Sequence, residues 1–511
     1  MSILDKRGSG VLMHISSLPG NTGIGTLGKQ AYNFVDLLYD ANQTYWQILP
    51  VGPTGYGDSP YQSYSTYAGN PYFIDFEILE KEGFLKKSDY EDLQWSETQR
   101  YVDYGLVYVN RGKVFKIIYE NFKKNIPVDF NSFCIENEKW LNDYALFMAV
   151  KDAHQGASFS TWEDDIRLRK PKALEKWSES EKEKIEYYKM LQYFFFKQWR
   201  ALKEYANEKG IYIIGDIPIY VSADSADLWK DPKQFYVDKD IKPIDVAGCP
   251  PDAFTADGQL WGNPVYNWEY HKKTKYEWWK NRIGHCFKIY DVIRIDHFRG
   301  FDEFYCVPFG SENAKKGEWR KGPGLDLFKA LKNEFGELPI IAEDLGFLTD
   351  SVRSLLRDVG YPGMKVLQFA FNPEEESDYI PHTYIKNTIV YTGTHDNDTI
   401  LGWDKSATPP EVEYAKEYLR AKDAEELRQN MMIQALSCVS NTCVLCMQDL
   451  IGLDSSARMN SPSTVGLNWK WRALEEEITE KQFEFIKYYS KLYGRNKDNL
   501  EIKKRDAIKH L

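Results

Sequence analysis

Eight short apolar runs, separated by stretches in which apolar residues recur with helical spacing, constrain the fold of this chain most strongly. Each run is rich in Val, Ile, Leu, Tyr or Trp, which is typical of buried strands. Strands that alternate with helices form parallel sheets, and eight such units close into a (β/α)8 TIM barrel. The sequence therefore predicts this α/β fold, with strands within residues 11–15, 45–50, 211–221, 291–296, 338–346, 364–371, 387–396 and 442–449.

Long segments between the predicted strands indicate insertions into a single barrel unit that spans residues 1–511. Residues 85–205 have mostly helical patterns and a charge run typical of a solvated helix face, so we expect an inserted helical subdomain there. Residues 222–290 form a second predicted insertion, which includes a long polar loop at 249–264. The last stretch, about 40 residues, is too short for a C-terminal β-sandwich, so none is expected.

Charge and composition exclude several classes of protein. The 511 residues carry a formal net charge of −11, whereas nucleic acid and anionic membranes require a basic surface, so neither is expected as a partner. The N-terminal residues lack an apolar signal region and no apolar run approaches membrane-spanning length, so we expect a cytoplasmic protein. Aromatic residues make up 15% of the chain, and their flat rings suit the faces of sugars as well as protein cores.

The seven cysteines do not predict a disulfide framework, because their number is odd and their spacing irregular. Cys443 and Cys446 form a C-x-x-C motif inside an apolar run. No second pair with zinc spacing accompanies them in the sequence, so we interpret this motif as part of a buried strand.

Three predicted strands end in an acidic residue: Asp296, Glu343 and Asp396. The carboxyl ends of barrel strands meet at one rim, where barrel enzymes hold their active sites. Buried acids are costly unless they are paired or take part in chemistry. Converging acids are typical either of a divalent-metal site or of the acid and nucleophile of a glycosidase.

Neighbouring residues favour the glycosidase alternative. Arg294 and Asp296 lie two residues apart on one face of a predicted strand, so we expect the arginine to lower the pKa of Asp296 and keep it ionised as a nucleophile. An isolated pair of this kind could equally be a structural ion pair. His395 beside Asp396 also places a donor where a metal ion would be repelled. Glu343 follows an apolar run, which suits an acid whose pKa is raised by its surroundings.

The strand-end motifs Arg294-Ile-Asp-His297, Ala342-Glu-Asp-Leu-Gly346 and Thr394-His-Asp-Asn-Asp-Thr399 resemble those of the α-amylase clan. Asp216 is followed by Ile-Pro-Ile-Tyr rather than by the Asn-His that helps α-amylases bind calcium, and this favours the amylomaltase branch, the 4-α-glucanotransferases or disproportionating enzymes. Further segments across nearly the whole chain resemble that branch: Ser16-Ser-Leu-Pro-Gly20, Trp46-Gln-Ile-Leu-Pro50, Ser59-Pro-Tyr-Gln62, Gly215-Asp-Ile-Pro-Ile-Tyr-Val221, Gly258-Gln-Leu-Trp-Gly-Asn-Pro264, Arg458-Met-Asn-Ser-Pro-Ser-Thr464 and Asn468-Trp-Lys-Trp-Arg472.

The resemblance implies roles for individual residues. Asp296 would be the nucleophile, Glu343 the general acid and base, and Asp396 a third catalytic carboxylate that binds sugar hydroxyls most tightly in the transition state. No metal and no cofactor are implied, because carboxylate catalysis needs neither. The implied substrate-binding residues are Arg294 and His395 in the donor-sugar pocket, Tyr61 stacked on that sugar, and Ser59, Asp252, Gln259, Trp261 and Asn460 against neighbouring glucoses.

The implied activity is transfer of α-1,4-glucan segments to the 4-hydroxyl of an acceptor by a retaining double displacement, with maltooligosaccharides as substrates. A hydrolase of the same clan is the alternative. A non-catalytic glucan-binding barrel is a third, disfavoured because all three acids are present. Chain-length preference, cyclisation, the hydrolysis-to-transfer ratio, the physiological glucan and the oligomeric state stay open.

Some of these residues also have purely structural interpretations. Tyr61 could pack within its loop and Trp261 could belong to the core beneath one, while His14 and His297 are expected to orient neighbours rather than to react. The loop at residues 458–464, the late loop, has Ser463 where the resemblance implies glycine. Because serine adopts positive φ at a higher cost than glycine, the conformation of this loop and the placement of Asn460 are open.

Overall fold

The structure, a computed structural model, describes residues 2–55, 57–251, 256–346 and 348–495. Its strands are short, with three to six residues each. The strands within the described residues are β1 (Gly8–Leu12), β2 (Tyr45–Gln47), β3 (Tyr212–Ile217), β4 (Asp245–Cys249), β5 (Gln259–Pro264), β6 (Val292–Ile295), β7 (Glu303–Pro308), β8 (Glu318–Lys321), β9 (Ile340–Ala342), β10 (Gly363–Val366), β11 (Thr388–Tyr391) and β12 (Thr442–Cys446).

Eight of these strands close into a parallel barrel in the order β1-β2-β3-β6-β9-β10-β11-β12. They are the eight strands that the apolar runs predict, so the (β/α)8 fold is confirmed. Most bounds differ from the prediction. The first strand spans Gly8–Leu12 rather than residues 11–15, and the runs predicted within 211–221, 338–346, 364–371 and 387–396 leave the strand four to five residues early. The last run leaves the strand after Cys446 and becomes helical. In the register of β6 with its neighbours, Arg294 lies opposite Asp216 on β3 and Ile341 on β9.

Helices fill the connections between the barrel strands. Seven of those described, α2 to α8, lie between β2 and β3, and the 27-residue α8 packs against α1 before the chain enters β3. The helices within the described residues are α1 (Lys29–Asp40), α2 (Phe76–Lys81), α3 (Tyr104–Lys124), α4 (Phe130–Glu136), α5 (Glu138–Ala153), α6 (Asp164–Arg167), α7 (Pro171–Ser180), α8 (Lys182–Glu208), α9 (Ala226–Lys230), α10 (Trp268–Lys273), α11 (Glu277–Ile289), α12 (Leu325–Phe335), α13 (Asp350–Val359), α14 (Ile400–Ser406), α15 (Pro409–Leu419), α16 (Ala424–Ser437), α17 (Met447–Ile451) and α18 (Glu480–Leu492). In the described part of the chain, no helix is long and apolar enough to cross a membrane.

A second, antiparallel sheet has the strand order β5-β4-β7-β8. The prediction of a continuous loop at 249–264 is wrong at its ends, because β4 ends at Cys249 and β5 begins at Gln259. Strands this short carry too few residues for their alternation to stand out in the sequence. β7 follows the turn after β6 and pairs with β4, and β4 in turn pairs with β5. This sheet therefore sets the position of β5 relative to the carboxyl end of the barrel strand β6.

Close packing around the barrel strands gives a test of the fold. A Cβ atom at Gly215 on β3 would lie 2.1 Å from the ring of the buried Tyr290. We predict that Gly215→Ala lowers the free energy of unfolding by about 1–3 kcal/mol, because the core must shift to admit the methyl group. The drop should appear in the midpoint of thermal unfolding.

Gly112, in the interior of α3, provides the matched control, because nothing lies within 4 Å of a Cβ atom built there. Gly112→Ala should stabilise the protein by about 0.5–1 kcal/mol through helix propensity alone. Equal midpoints for the two variants would contradict this packing.

Candidate active site

Asp296 and Glu343 emerge side by side at the rim of the barrel. They follow the neighbouring strands β6 and β9, whose last residues Ile295 and Ala342 lie opposite each other in register. The N–H of Glu343 donates to the carbonyl oxygen of Ile295 at 3.0 Å, so the pairing continues to the strand ends. Adjacent parallel strands lie about 4.8 Å apart, which brings the two carboxylates close together.

A buried arginine holds the nucleophile candidate. Arg294 is 3% exposed, and its Nη1 donates to Asp296 Oδ1 at 3.1 Å and to both oxygens of Asp216 at 2.7 and 2.8 Å. Arg294 and Asp296 therefore share a face of β6, as predicted. Asp216, on β3, is fully buried and lies opposite Arg294 on β6. One guanidinium therefore hydrogen-bonds to two carboxylates.

Burial dominates the electrostatics of Asp296. Although 32% of its side chain is exposed to the cleft, the surrounding protein removes much of the water that would stabilise its charge. Burial raises the pKa of Asp296 to about 6, although Arg294 lowers it, and repulsion from Asp216 and Asp396 adds to the rise. The predicted effect of Arg294 itself is confirmed, but the prediction that this pKa falls below its ordinary value is wrong.

Glu343 has the higher pKa of the two carboxyl groups. Burial, followed by repulsion from Asp296, raises the pKa of Glu343 to about 7. Its Oε2 accepts from the N–H of His297 at 2.7 Å and its Oε1 from the N–H of Leu345 at 2.8 Å, and both bonds oppose the shift. Burial therefore raises the pKa of both carboxyl groups, and Asp296 alone is paired with a buried cation, an asymmetry that suits an acid and nucleophile pair.

The backbone at His297 helps to aim these groups. Its φ of 52° lies in the left-handed region, and this turn presents its N–H to Glu343. Burial lowers the pKa of the His297 imidazole to about 3, so the ring is neutral. It contacts Trp261 edge-on at 4.8 Å between ring centroids.

The third carboxylate lies within a separate hydrogen-bonded group after β11. Asp396 Oδ1 lies 3.3 Å from His395 Nε2 and accepts from Asn460 Nδ2 at 2.6 Å. Arg458 Nη2 donates to the carbonyl oxygen of Asp396 at 2.7 Å. The structure thus brings Asn460 from the late loop to Asp396.

Tyr61 lies between these two groups. Its hydroxyl donates to Asp216 Oδ2 at 2.8 Å, and its ring stacks on His395 at 5.1 Å between centroids. This placement is more specific than packing within a loop. Ser59 lies in the same turn, where its Oγ accepts from the N–H of Tyr61 at 3.3 Å.

Trp261 and Gln259 lie on β5 at the edge of the cleft. Trp261 Nε1 donates to Gln259 Oε1 at 3.0 Å, and the half-buried indole contacts His297 rather than lying in the core. Asp252, also predicted to contact substrate, lies outside the described residues.

The structure decides the conformation at Ser463, which the sequence left open. Its φ of 64° lies in the left-handed region. The Asn468 side chain secures the same loop, accepting from the N–H of Ser461 at 3.0 Å and donating to the carbonyl oxygen of Thr464 at 2.9 Å. With Ser463 in this conformation, Asn460 reaches Asp396.

A protein-family model described as 4-alpha-glucanotransferase matches residues 13–477. The chain belongs to the 4-alpha-glucanotransferase family. The 4-alpha-glucanotransferase of Clostridium butyricum is 47% identical over 485 residues, 94% of this chain and 100% of that protein. That of Streptococcus pneumoniae serotype 4 is 48% identical over 505 residues, 98% of this chain and 100% of that protein.

Solved structures agree with this membership. The amylomaltase from Streptococcus agalactiae in complex with acarbose has a TM-score of 0.94 at 45% identity, covering 96% of this chain and 100% of that one. The amylomaltase from Corynebacterium glutamicum has a TM-score of 0.78 at 19% identity, with 96% of this chain and 76% of that one covered, and it supports the fold alone. The resemblance seen in the sequence motifs is confirmed.

Two residues of this 4-alpha-glucanotransferase site were not predicted as site residues. Asp216 contacts Arg294 and Tyr61, and its position after Gly215 in a strand that precedes a rim loop was the available signal. Arg458 contacts the backbone of Asp396, and only its place two residues before Asn460 pointed to it.

The shared arginine generates a stability prediction. Asp216→Asn removes one of the two charges that compensate the buried Arg294, so we expect a loss of about 3–5 kcal/mol in the free energy of unfolding. The midpoint of thermal unfolding measures it. Asp36→Asn, which weakens a partly exposed pair with Lys209 (2.8 Å), is the control and should cost less than about 1 kcal/mol. Equal losses would show that Arg294 does not depend on Asp216.

The left-handed serine generates a second prediction. Ser463→Gly should raise the midpoint of thermal unfolding, because glycine avoids a left-handed penalty of about 1–2 kcal/mol and gives back about 0.5–1 kcal/mol in chain entropy. Ser461→Gly in the same loop, where φ is not positive, should lower the midpoint. A rise in both variants, or in neither, would contradict this assignment of strain.

Proposed function

We propose that this member of the 4-alpha-glucanotransferase family transfers segments of α-1,4-glucans to the 4-hydroxyl of an acceptor glucan or glucose by a retaining double displacement. The observation that carries the mechanism is the pair Asp296 and Glu343, side by side on adjacent strands with the pKa values of their carboxyl groups raised to about 6 and about 7. A retaining mechanism needs one ionised carboxylate and one protonated carboxyl group close together. Similarity to an amylomaltase bound to acarbose supports the choice of an α-glucan-like substrate.

In the first displacement, the protonated Glu343 gives its proton to the glycosidic oxygen while an oxygen of Asp296 attacks the anomeric carbon. The bond between that carbon and the glycosidic oxygen breaks. The leaving segment departs with a free 4-hydroxyl, and the remaining segment is held as an ester of Asp296. Arg294, 3.1 Å from Asp296 Oδ1, orients the carboxylate for attack.

In the second displacement, the ionised Glu343 takes the proton of an acceptor 4-hydroxyl, whose oxygen attacks the anomeric carbon and releases Asp296. Two inversions restore the α configuration. One glycosidic bond has been broken and one has formed, so the number of reducing ends is unchanged. The N–H groups of His297 and Leu345 hold Glu343 in place throughout, because they also stabilise its ionised form.

The remaining residues bind sugar in this proposal. Asp396, aligned by Asn460 and by the backbone contact from Arg458, accepts from hydroxyls of the donor sugar most strongly in the transition state. Tyr61 offers its ring to the same sugar, fixed by its bond to Asp216. Trp261 and Gln259 contact a neighbouring glucose from the other edge of the cleft.

Transfer prevails over hydrolysis only if a sugar hydroxyl reaches the ester before water. We attribute this to an acceptor held between β5 and the late loop, where Trp261 and Asn460 lie, so that its 4-hydroxyl is already oriented. A hydrolase of the same clan is the alternative, since the two carboxylates would serve either reaction. The odd number and irregular spacing of the seven cysteines are atypical of a secreted, disulfide-stabilised protein, which supports action in the cytoplasm.

Products from pure maltotriose test the proposed reaction. Wild type should yield glucose together with maltodextrins longer than three units, without new reducing ends. Glu343→Gln and Asp296→Asn should each lower the rate by about 1,000-fold or more, because each removes a group that makes or breaks the bond. The exposed Glu337→Gln, just before β9, is the matched control and should leave the ladder unchanged. Short sugars with new reducing ends would instead establish a hydrolase.

The two raised pKa values predict the pH dependence. The reactive form has Asp296 ionised and Glu343 protonated, so kcat/KM should rise as pH passes about 6, fall as it passes about 7 and peak between them. With α-maltosyl fluoride, whose leaving group needs no proton, the first displacement in Glu343→Gln should lose the alkaline fall and keep the acid one. A persistent alkaline fall would mean that another group supplies the proton.

A further inference from the structure

A buried carboxylate that the proposed mechanism does not use lies directly behind the loop that carries Asp396. Asp449 is 1% exposed and belongs to α17, the helix that follows β12 at the rim of the barrel. Its Oδ2 accepts from the hydroxyl of Thr392 at 2.9 Å, and its Oδ1 accepts from the N–H of Ile400 at 2.8 Å. These donors lie at the two ends of residues 392–400, the segment that contains His395 and Asp396.

The middle of this segment is held by its own contacts. The N–H and the hydroxyl of Thr394 both donate to Asn397 Oδ1 at 2.9 Å, which closes a tight turn around Asp396. Gln368 Nε2 donates to the carbonyl oxygen of Asp398 at 2.8 Å. Asn460 and Arg458 contact Asp396 itself, whereas Asp449 anchors to α17 both ends of the segment that carries Asp396.

The position of Asp449 also favours a role beyond filling space. Burial raises the pKa of Asp449 to about 6, and Asp398 adds to the rise, while its two donors and Arg428 oppose it. Retaining an ionised carboxylate in a buried position costs stability unless it provides contacts that an apolar residue lacks. The contacts here are two aligned acceptors on one short side chain, directed at both ends of one segment.

We infer that Asp449 is a positioning residue for the reaction, bracketing residues 392–400 so that Asp396 is held where it meets the donor sugar. The inference rests on the role proposed above for Asp396. Asp449 does not touch the substrate in this account, and its effect on catalysis passes through Asp396. Loss of the bracket should therefore matter only while Asp396 carries its carboxylate.

A double-mutant cycle tests this dependence, with kcat measured on α-maltosyl fluoride so that slow variants stay measurable. Asp449→Ala should lower kcat by about 10- to 100-fold in the wild-type background, the size expected for a displaced catalytic group. In an Asp396→Asn background the same change should lower kcat by less than about 3-fold, because residues that act as one unit are not additive. A general loss of structure would lower kcat by the same factor in both backgrounds.

Two further variants separate hydrogen bonding from charge and from folding. Asp449→Asn can still accept from Ile400 and can donate to the hydroxyl of Thr392, so it should stay within about 3-fold of wild type. Thr392→Val removes a single donor with little change of shape and should lower kcat by a smaller factor than Asp449→Ala, again only when Asp396 is intact. If Asp449→Ala does not fold, the effect of Thr392→Val on kcat, measured with and without the Asp396 carboxylate, tests the same dependence.

Asp291 provides the matched control. Its Oδ2 accepts from the N–H of Ile213 at 2.8 Å and from Asn207 Nδ2 at 2.9 Å, but it lies at the amino end of β6, away from the rim. Asp291→Ala should change kcat by the same factor with and without Asp396. If Asp449→Ala lowered kcat by the same factor in the wild-type and Asp396→Asn backgrounds, the positioning role of Asp449 would be wrong, while the proposed function would stand. If Asp396→Asn alone left kcat unchanged, the proposed role of Asp396 would fall, and the bracket with it.

Discussion

The active site depends on one buried cation shared by two carboxylates. Arg294 donates to Asp216 on the neighbouring strand and to Asp296 at the end of its own strand, and Tyr61 completes the group through Asp216. An unpaired buried charge is strongly destabilising, so burial of these groups requires that every partner is in place. The proposed nucleophile, its cation and the ring proposed to contact the donor sugar are therefore held together by one set of contacts.

The barrel and the small sheet bring the remaining groups to this centre. Pairing between β6 and β9 puts Glu343 beside Asp296, and the left-handed turn at His297 supplies it with a hydrogen bond. The chain then enters β7, which pairs with β4 and so sets the position of β5 with Trp261. From the other side, the segment after β12 reaches Asp396 through Asn460. Each group reaches the cleft from a rigid element or from a loop anchored to one.

The sequence predicts those parts of the structure that depend on local patterns. All eight barrel strands are short apolar runs between turn residues, and the strand-end acids follow from them. The sequence left the conformation at Ser463 open, because a motif glycine can be required either by positive φ or by close approach of the backbone, and only the structure shows the positive φ. The net pKa shift of Asp296 was not foreseeable, because it depends on burial and on Asp216, which lies 80 residues earlier in the chain. The small sheet and the bracket by Asp449 are likewise products of tertiary contacts between distant segments.

In the proposed mechanism, Asp296 forms a covalent bond to the donor sugar while Glu343 donates and then accepts the proton. The most direct measurement is mass spectrometry of peptides from Glu343→Gln after reaction with α-maltosyl fluoride and a rapid quench, since this variant can form the ester but activates the acceptor poorly. We predict one maltosyl unit on the peptide that contains Asp296, and none when Asp296→Asn is added. A maltosyl unit on another carboxylate, or turnover to an inverted product without any adduct, would contradict the account.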